Sequence, residues 1–561
     1  MKNYSWPSLL PAICFSLILP VLLYQFRALD NNSLCRWEWV FRDGPPLLLY
    51  GVTVATAGGA LFLSRFAWPD NKPLFLGVTA FLAGISLWGE PELIMDASRY
   101  FSQAKYLEVH GIRAFWQGWG GEISAWTDLP LIPFLYGLVF AGLGEARIFI
   151  QLLTTFFFVG AVLLTYLYGK DLRDEETGVL AGLLLLCQPY LLLQIPLMMV
   201  DLPTMFFLIL TLFTFSRALR DGGHRSIVLA AVAIFLLFWA KYSAWLLLTV
   251  LPVIVLARSP ADYKKAGWAA LKILALAVLF SLPILIGLWE VVWAQLKLLV
   301  EYQRPGLSRW SEGFISTFFF QTHPLVSIGA LFGLGIGLYK KDKRIIVPAY
   351  LLFLLVIILE VKRIRYLMPV FPLLAVAAAC GIRRLPGQRL RKFLVLSALG
   401  GSLTLLFGGF LPFTGELSTT NIQKSGRFLN SLAAEEIAVY TAPQSARNPN
   451  LQINIPLLDL FTHKRIYSLN GSVDAEPPAM EMKSSFRFTW EQQLPDFYRP
   501  PEGALDKAAP LVVIYSRTPR LPPAIRERIS RYRQVRAFEQ SSGLFGYKTL
   551  VKVYYDDPPS P

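Results

Sequence analysis

Apolar runs of about 17 residues or more, the length that crosses a hydrocarbon core, recur from Ser8 to Leu411. Such a chain is expected to pack its helices side by side in a bilayer, because a helix satisfies its own backbone polar groups where water is absent. Candidate spans fall at 8–26, 44–64, 73–89, 147–168, 177–193, 200–219, 226–240, 243–257, 268–289, 322–339, 345–360, 366–382 and 392–411. Composition agrees: only 16% of the 561 residues are charged, where a soluble domain carries about a quarter, and mean hydropathy is +0.47. The first run lacks a small-residue cleavage site and reads as a span. The formal net charge of +15 fits cytoplasmic Lys and Arg and contact with anionic membrane lipids, not nucleic acid. Cys14, Cys35, Cys187 and Cys380 are far apart and show neither metal spacing nor a disulfide framework.

Loop charge gives a direction. Arg65/Lys72, Lys170/Arg173, Arg217/Arg220/Arg225, Arg258/Lys264/Lys265, Lys340/Lys341/Lys343/Arg344 and Arg383/Arg384/Arg389/Arg391/Lys392 alternate so as to share one side, which the positive-inside rule makes cytoplasmic. The N-terminus is then cytoplasmic, and the segments 90–127 and 290–321 and the C-terminal tail lie outside. This holds only if the apolar segment 129–143, short and led by Pro130 and Pro133, is a re-entrant or juxtamembrane helix. The run 227–257 is too long for one span and carries Lys241 in its middle, so two short helices are expected to meet there. The tail reads as an α/β soluble domain, with helices at 421–433 and 522–530 and strands at 437–440, 511–515 and 545–555. The expected domains are therefore 1–72, two additional N-terminal helices; 73–411, a transmembrane module with the outer loop 90–127; and 412–561, an extracytoplasmic α/β domain. No internal repeat of the kind many transporters use is evident.

Candidate chemistry gathers on the outer side. Asp96 follows Glu90 and Glu92 just beyond a span and opens an amphipathic helix on which Tyr100, Ala104 and Leu107 share a face; Gly111 suits its end. Asp96 there is either a helix cap or a general base accepting a proton from an incoming hydroxyl. Asp201 lies at the outer mouth of a span, where an acid is costly; the structural alternative is again a cap, with Pro203 in the first turn. Lys241 and Tyr242 sit at the junction of two short helices, and Lys362, Arg363, Arg365 and Tyr366 form a basic run. Snorkelling would explain part of this run, but cations beside acids at a lipid interface also suit a phosphate-bearing lipid. Two isolated acids, Asp96 and Asp201, leave binding of a divalent cation open. The single histidines His110 and His323 have no ligand-like spacing.

These residues, taken in order, resemble the lipid-linked-sugar glycosyltransferases of the GT-C class, in the protein O-mannosyltransferase-like branch that includes the lipid A aminoarabinose transferases. Asp96-Ala97-Ser98-Arg99-Tyr100 matches the outer-loop acid and tyrosine. Asp128-Leu129-Pro130-Leu131-Ile132-Pro133 matches a proline-led helix, and Gly144-Glu145-Ala146-Arg147 a Gly-Glu-x-Arg joint. Further on, 181–189 matches a small-residue helix ending in Pro, Asp201 an Asp-x-Pro-like step, Lys241-Tyr242 a Lys-Tyr pair, and Arg365-Tyr366-Leu367-Met368-Pro369 an Arg-Tyr-x-x-Pro step. The match covers 73–385.

The resemblance implies a GT-C-like helical fold and inverting transfer of a sugar from a polyprenyl-phosphate donor to a lipid, glycan or protein acceptor, at a prokaryotic plasma (inner) membrane. It makes Asp96 the base, gives Asp201 a supporting or metal-binding role, and turns Lys241, Arg365, Lys362 and Tyr366 toward the donor phosphate. Glu92, Arg99, Tyr100 and Tyr242 would support them. The chain departs from the pattern twice. Ala97 stands where a second acid is common, so that Glu90 or Glu92 would have to substitute, and Asp128 stands near a lysine of the aminoarabinose enzyme. The Trp-Trp-Asp signature of oligosaccharyltransferases is absent. The alternative classes are a non-enzymatic transporter of lipid-linked sugar or polymer, and a membrane scaffold whose tail recruits partners.

Overall fold

The structure is a computed structural model that describes residues 9–32, 36–41, 45–258, 260–303, 312–359, 363–442, 451–470, 494–500, 508–517, 521–544 and 548–556. Among these, six helices are long and apolar enough to cross a bilayer: Pro46–Leu63, Arg147–Leu172, Asp201–Asp221, Tyr263–Gly287, Ile364–Ile382 and Gln388–Gly415. Shorter apolar helices, Leu10–Gln25, Lys72–Ile85, Leu131–Leu143, His224–Ala240, Tyr242–Leu256 and Pro324–Tyr339, fill in between them. On Tyr263–Gly287 the side chains of Trp268, Leu271, Val278, Leu279 and Ile286 are exposed, an apolar surface suited to lipid rather than water. The chain is an integral membrane protein.

Thirteen apolar runs do not translate into thirteen long helices. The run at 177–193 is two helices, Glu175–Leu186 and Pro189–Gln194, separated at Cys187 and Gln188. Pro189 lacks the N–H that would continue the first helix. This segment is buried on every side, packed among Arg147–Leu172, Phe371–Ile382 and Gln388–Leu405, so its all-round apolarity reflects the protein interior. The run 227–257 breaks where a charge interrupts it: Lys241 is extended between His224–Ala240 and Tyr242–Leu247.

The basic loops collect at one end of the bundle. Lys72 and Lys170 both pair with Glu175, at 3.1 and 2.9 Å, and Arg220 pairs with Asp171 at 2.9 Å. Arg383 reaches Asp174 and Arg391 reaches Glu176. Arg384 pairs with Asp342, Lys343 bonds the Arg258 carbonyl, and Arg258 bonds the Ser216 carbonyl. The 21-residue helix Asp201–Asp221 runs from Asp201 to this end, about 31 Å at 1.5 Å per residue.

Leu131–Leu143 stays at the other end. Its 13 residues reach only about 20 Å. Asp128 before it pairs with Arg99, and Glu145 after it pairs with Lys105, so both of its flanks return to the same helix, Asp96–Gly118. That helix turns sharply at Gly111, whose φ of 84° lies in the region glycine tolerates.

The C-terminal part carries the α/β arrangement: β1 (Glu436–Thr441), β2 (Arg465–Ser468), β3 (Leu511–Tyr515), β4 (Gln534–Phe538) and β5 (Leu550–Tyr555) form one sheet in the order β2-β1-β3-β5-β4. β1 is parallel to β2 and β3, while β5 is antiparallel to β3 and β4. Helix Thr420–Leu429 lays Ile422, Phe428 and Leu429 into the core, and Pro523–Ser530 follows β3. Helix Asn454–Asp459 and the strands β2 and β4 lack a strong sequence pattern and stand outside the sequence expectation.

Candidate functional site

Four distant segments meet at the end opposite the basic loops. Asp201 is the first residue of its helix and is fully buried. Its Oδ1 accepts from Lys241 Nζ at 2.5 Å and its Oδ2 from Arg365 Nε at 2.8 Å. The same guanidinium extends Nη1 to Asp96 Oδ2 at 2.6 Å. Arg365 therefore bridges the two acids, and neither carboxylate spends itself on capping its own helix. Local structure explains the convergence. The extended Lys241 turns its side chain out of the helix break. Arg363, in β conformation, precedes the short helix Ile364–Leu367, which delivers Arg365 inward.

Further groups surround this core. Lys241 Nζ stands 5.0 Å from the Tyr366 ring centre, and the Arg363 guanidinium 5.9 Å. Arg99, one turn after Asp96, places Nη1 3.9 Å from Asp96 Oδ1. Its main partner is Asp128, which receives both Nε and Nη2, the latter at 3.1 Å. Gln103 Nε2 also donates to Asp128 at 3.2 Å. Tyr242 OH donates to Gln295 Oε1 at 2.5 Å, and Gln295 Nε2 donates to the Asp128 carbonyl at 3.0 Å. Tyr100 is buried beside Arg99. Burial and the Asp128 charge push its hydroxyl well above the usual tyrosine range. Burial also pushes the Asp96 carboxyl up, but the guanidiniums of Arg365, Arg99 and Arg363 outweigh it and hold it well below the usual carboxylate range. Asp96 is an anion here, and a weak base while Arg365 stays on it.

The structure thus brings together Asp96, Arg99, Tyr100, Asp201, Lys241, Arg365 and Tyr366, with Tyr242 attached through Gln295. Lys362 lies outside the described residues. Glu92 is engaged elsewhere: Arg147 Nε and Nη2 donate to it at 3.1 and 3.0 Å, and the Met198 N–H donates at 3.2 Å. It ties the segment before the Asp96 helix to the bundle rather than supplying the second acid beside Asp96. Asp96 and Asp201 do not suit a divalent cation, because the Arg365 guanidinium already joins them. Among the described residues no group of three His, Cys, Asp or Glu is placed to hold a metal.

Two elements escape the sequence reading. Asp128 stands out in the sequence only as an acid heading a proline-led helix, yet it seats Arg99. Asp30 is fully buried and accepts from the backbone N–H groups of Asn32 and Trp37, from Ser316 Oγ at 2.6 Å and from Gln321 Nε2 at 3.0 Å. It pins the turn after the first helix to the segment that carries Ser316 and Gln321. Its sequence signal is a lone Asp-Asn-Asn turn.

No family profile matches the sequence, and no curated protein matches it. Solved structures do. The chain is similar to ArnT from Cupriavidus metallidurans bound to undecaprenyl phosphate, with a TM-score of 0.52 at 13% identity over 86% of this chain and 99% of that one. The apo form of ArnT gives a TM-score of 0.52 at 12% identity over 86% and 98%. The oligosaccharyltransferase from Archaeoglobus fulgidus in its apo form gives 0.46 at 12% identity over 71% and 65%. At such identities the likeness concerns architecture, and the GT-C-like fold expected from the order of the sequence motifs is the fold the chain has, in common with ArnT.

Proposed function

We propose that the protein is a membrane glycosyltransferase that moves a sugar from a polyprenyl-phosphate carrier to a hydroxyl of a lipid, glycan or protein acceptor. The observation that carries this reading is the Asp96–Arg365–Asp201–Lys241 chain of ion pairs, assembled at the mouth of a helix bundle that shares its fold with ArnT bound to undecaprenyl phosphate. An acid that faces the outer loop beside two cations is the minimum a displacement at a lipid phosphate needs.

In this mechanism the acceptor oxygen attacks the anomeric carbon from the face opposite the phosphate. The bond from that carbon to the phosphate oxygen breaks, and its electron pair leaves with the phosphate. The acceptor proton passes to Asp96. Asp201, buried and shared by two cations, fixes Lys241 and Arg365 where the phosphate charge develops. The donor phosphate competes with Asp96 for Arg365, and a carboxylate relieved of that partner is a stronger base. Donor arrival thereby prepares the acceptor side of the reaction.

The same reading places residues 1–72 as additional N-terminal helices, 73–411 as the catalytic module and 412–561 as an extracytoplasmic domain. The N-terminus and the basic end face the cytoplasm of a prokaryotic cell, and the site faces out. The test is purified protein in lipid nanodiscs with polyprenyl-phosphate sugars extracted from producing cells. Release of free polyprenyl phosphate supports the reading. Movement of intact lipid-linked sugar across vesicles, with no release, would replace it with a transporter.

A further inference from the structure

A second buried charge cluster lies on the far side of the Asp96 helix. Lys105, about two and a half turns beyond Asp96, donates Nζ to Asp459 Oδ2 at 2.6 Å and to Glu145 Oε1 at 3.1 Å. Asp459 belongs to the C-terminal helix Asn454–Asp459, and its Oδ2 also accepts from Tyr498 OH at 2.7 Å. The rings of Phe101, Phe497 and Tyr498 surround the ammonium at 5.5 to 5.7 Å. Asp459 is almost wholly buried, and Lys105 and Glu145 are mostly buried, with 16% and 19% of their side chains exposed. Other contacts run the same way. Gln423 Nε2 donates to the Gly89 carbonyl at 2.8 Å, and Arg147 stands 4.8 Å from the Phe461 ring centre.

We infer that the C-terminal domain is a positioning element of the site, which clamps the Asp96 helix through the Lys105–Asp459 contact. The clamp grips both ends of the relevant path: Glu145 follows Leu131–Leu143, whose other flank, Asp128, seats Arg99. A buried ammonium on a helix tolerates little displacement from its carboxylates, because an unpaired buried charge is costly. A rigid helix transmits that fixed position to Asp96. The role assigned to Asp96 rests on the function proposed above; the mechanical link does not.

The cluster carries one ammonium against two carboxylates, with Glu108 nearby contributing a buried Oε2 that has no hydrogen-bond partner among the described residues. Burial, then the mutual repulsion of the acids, pushes Glu145 well above its ordinary range, and burial pushes Asp459 up. The groups facing Lys105 are thus Glu145, Asp459 and Tyr498, with Glu108 and the exposed His110–Asp496 contact at the margin.

The test uses the full chain in nanodiscs. Asp459→Ala removes the tail's hold while Lys105 keeps Glu145. Hydrogen exchange of residues 96–110 should rise at least tenfold, and kcat should fall about tenfold with donor KM within twofold. Lys105→Ala should give the same change, the double variant should be no worse than either single one, and Asp459→Glu should restore most of it. Should Asp459→Ala fail to accumulate, Asp459→Asn is read in the same way. Unchanged exchange over 96–110, or effects of Lys105→Ala and Asp459→Ala that add, would overturn the inference. If the unmodified protein turns over no donor, the glycosyltransferase reading fails, and the exchange measurement still decides the clamp.

Discussion

Asn at position 201 would keep the shape of the buried side chain and remove the charge that two cations share. Lys241 and Arg365 each place a nitrogen within 2.8 Å of Asp201, which is fully buried. Arg365 retains Asp96, but Lys241 loses its carboxylate. Breaking a buried pair by removing one partner costs about 3–5 kcal/mol, and Asp201→Asn belongs in that range. Asp96→Asn should be far milder. Its carboxylate is 18% exposed, and Arg365 keeps Asp201, so the loss is about that of one charge-assisted hydrogen bond, ~1.5–3 kcal/mol. The assay is thermal unfolding in detergent followed by size-exclusion fluorescence, with transfer activity measured on the same preparations. Asp201→Asn should melt well below Asp96→Asn although both lose transfer. The fourfold variant Asp96→Asn, Asp201→Leu, Lys241→Met and Arg365→Met removes all four linked charges together and should recover much of the stability, with no activity. An Asp201→Asn protein as stable as the unmodified one would refute the placement of Asp201 as the buried hub.

Asp128→Asn should release Arg99, which donates two hydrogen bonds to that carboxylate, toward Asp96; kcat should then fall at least tenfold with little change in donor KM, measured by steady-state kinetics. Burial raises Asp30 to about 6, against the opposing bonds from Ser316, Asn32, Trp37 and Gln321. The folded state therefore holds a proton that the unfolded chain releases near 4, and this contribution is present at low pH and lost as pH rises through 6. At ~1.36 kcal/mol per unit the loss is about 3 kcal/mol; melting temperature should drop between pH 4 and pH 7, and Asp30→Asn should flatten that slope. Glu92→Gln leaves the buried Arg147 guanidinium without its carboxylate and should destabilise the fold by about 3 kcal/mol, read in the same melting assay, without the selective loss of kcat expected at Asp128.

The membrane part was legible wherever one physical cause dominated. Apolar length marks the spans, Lys241 marks a helix break because a charge ends an apolar run, and the basic loops mark one end because they share a sign. The segment 177–193 shows the limit. Its composition is that of a span, and only packing reveals a broken helix wrapped in protein. The site residues were legible as residue types near one face, but their pairing was not. Nothing in the spacing of Asp96 and Arg365, 269 positions apart, states that they touch or that Arg365 also holds Asp201. Glu92 illustrates the converse: it is near Asp96 in sequence, yet Arg147 takes its carboxylate. In the tail, β1 and β3 were readable from their unbroken apolar runs, whereas β4 was not, because its residues are exposed and carry no burial pattern.

Whether Asp96 takes the acceptor proton in transfer from a polyprenyl-phosphate sugar is decided by mass spectrometry of lipid-linked sugars. Cells making the unmodified chain, the Asp96→Asn variant or no protein would be compared, with protein levels matched by immunoblot. One polyprenyl-phosphate sugar should accumulate equally in the variant and in the cells without protein, and the same envelope glycan should lose a residue in both. An Asp96→Asn strain whose lipid-linked sugars and surface glycans match those of the unmodified strain would contradict that role for Asp96.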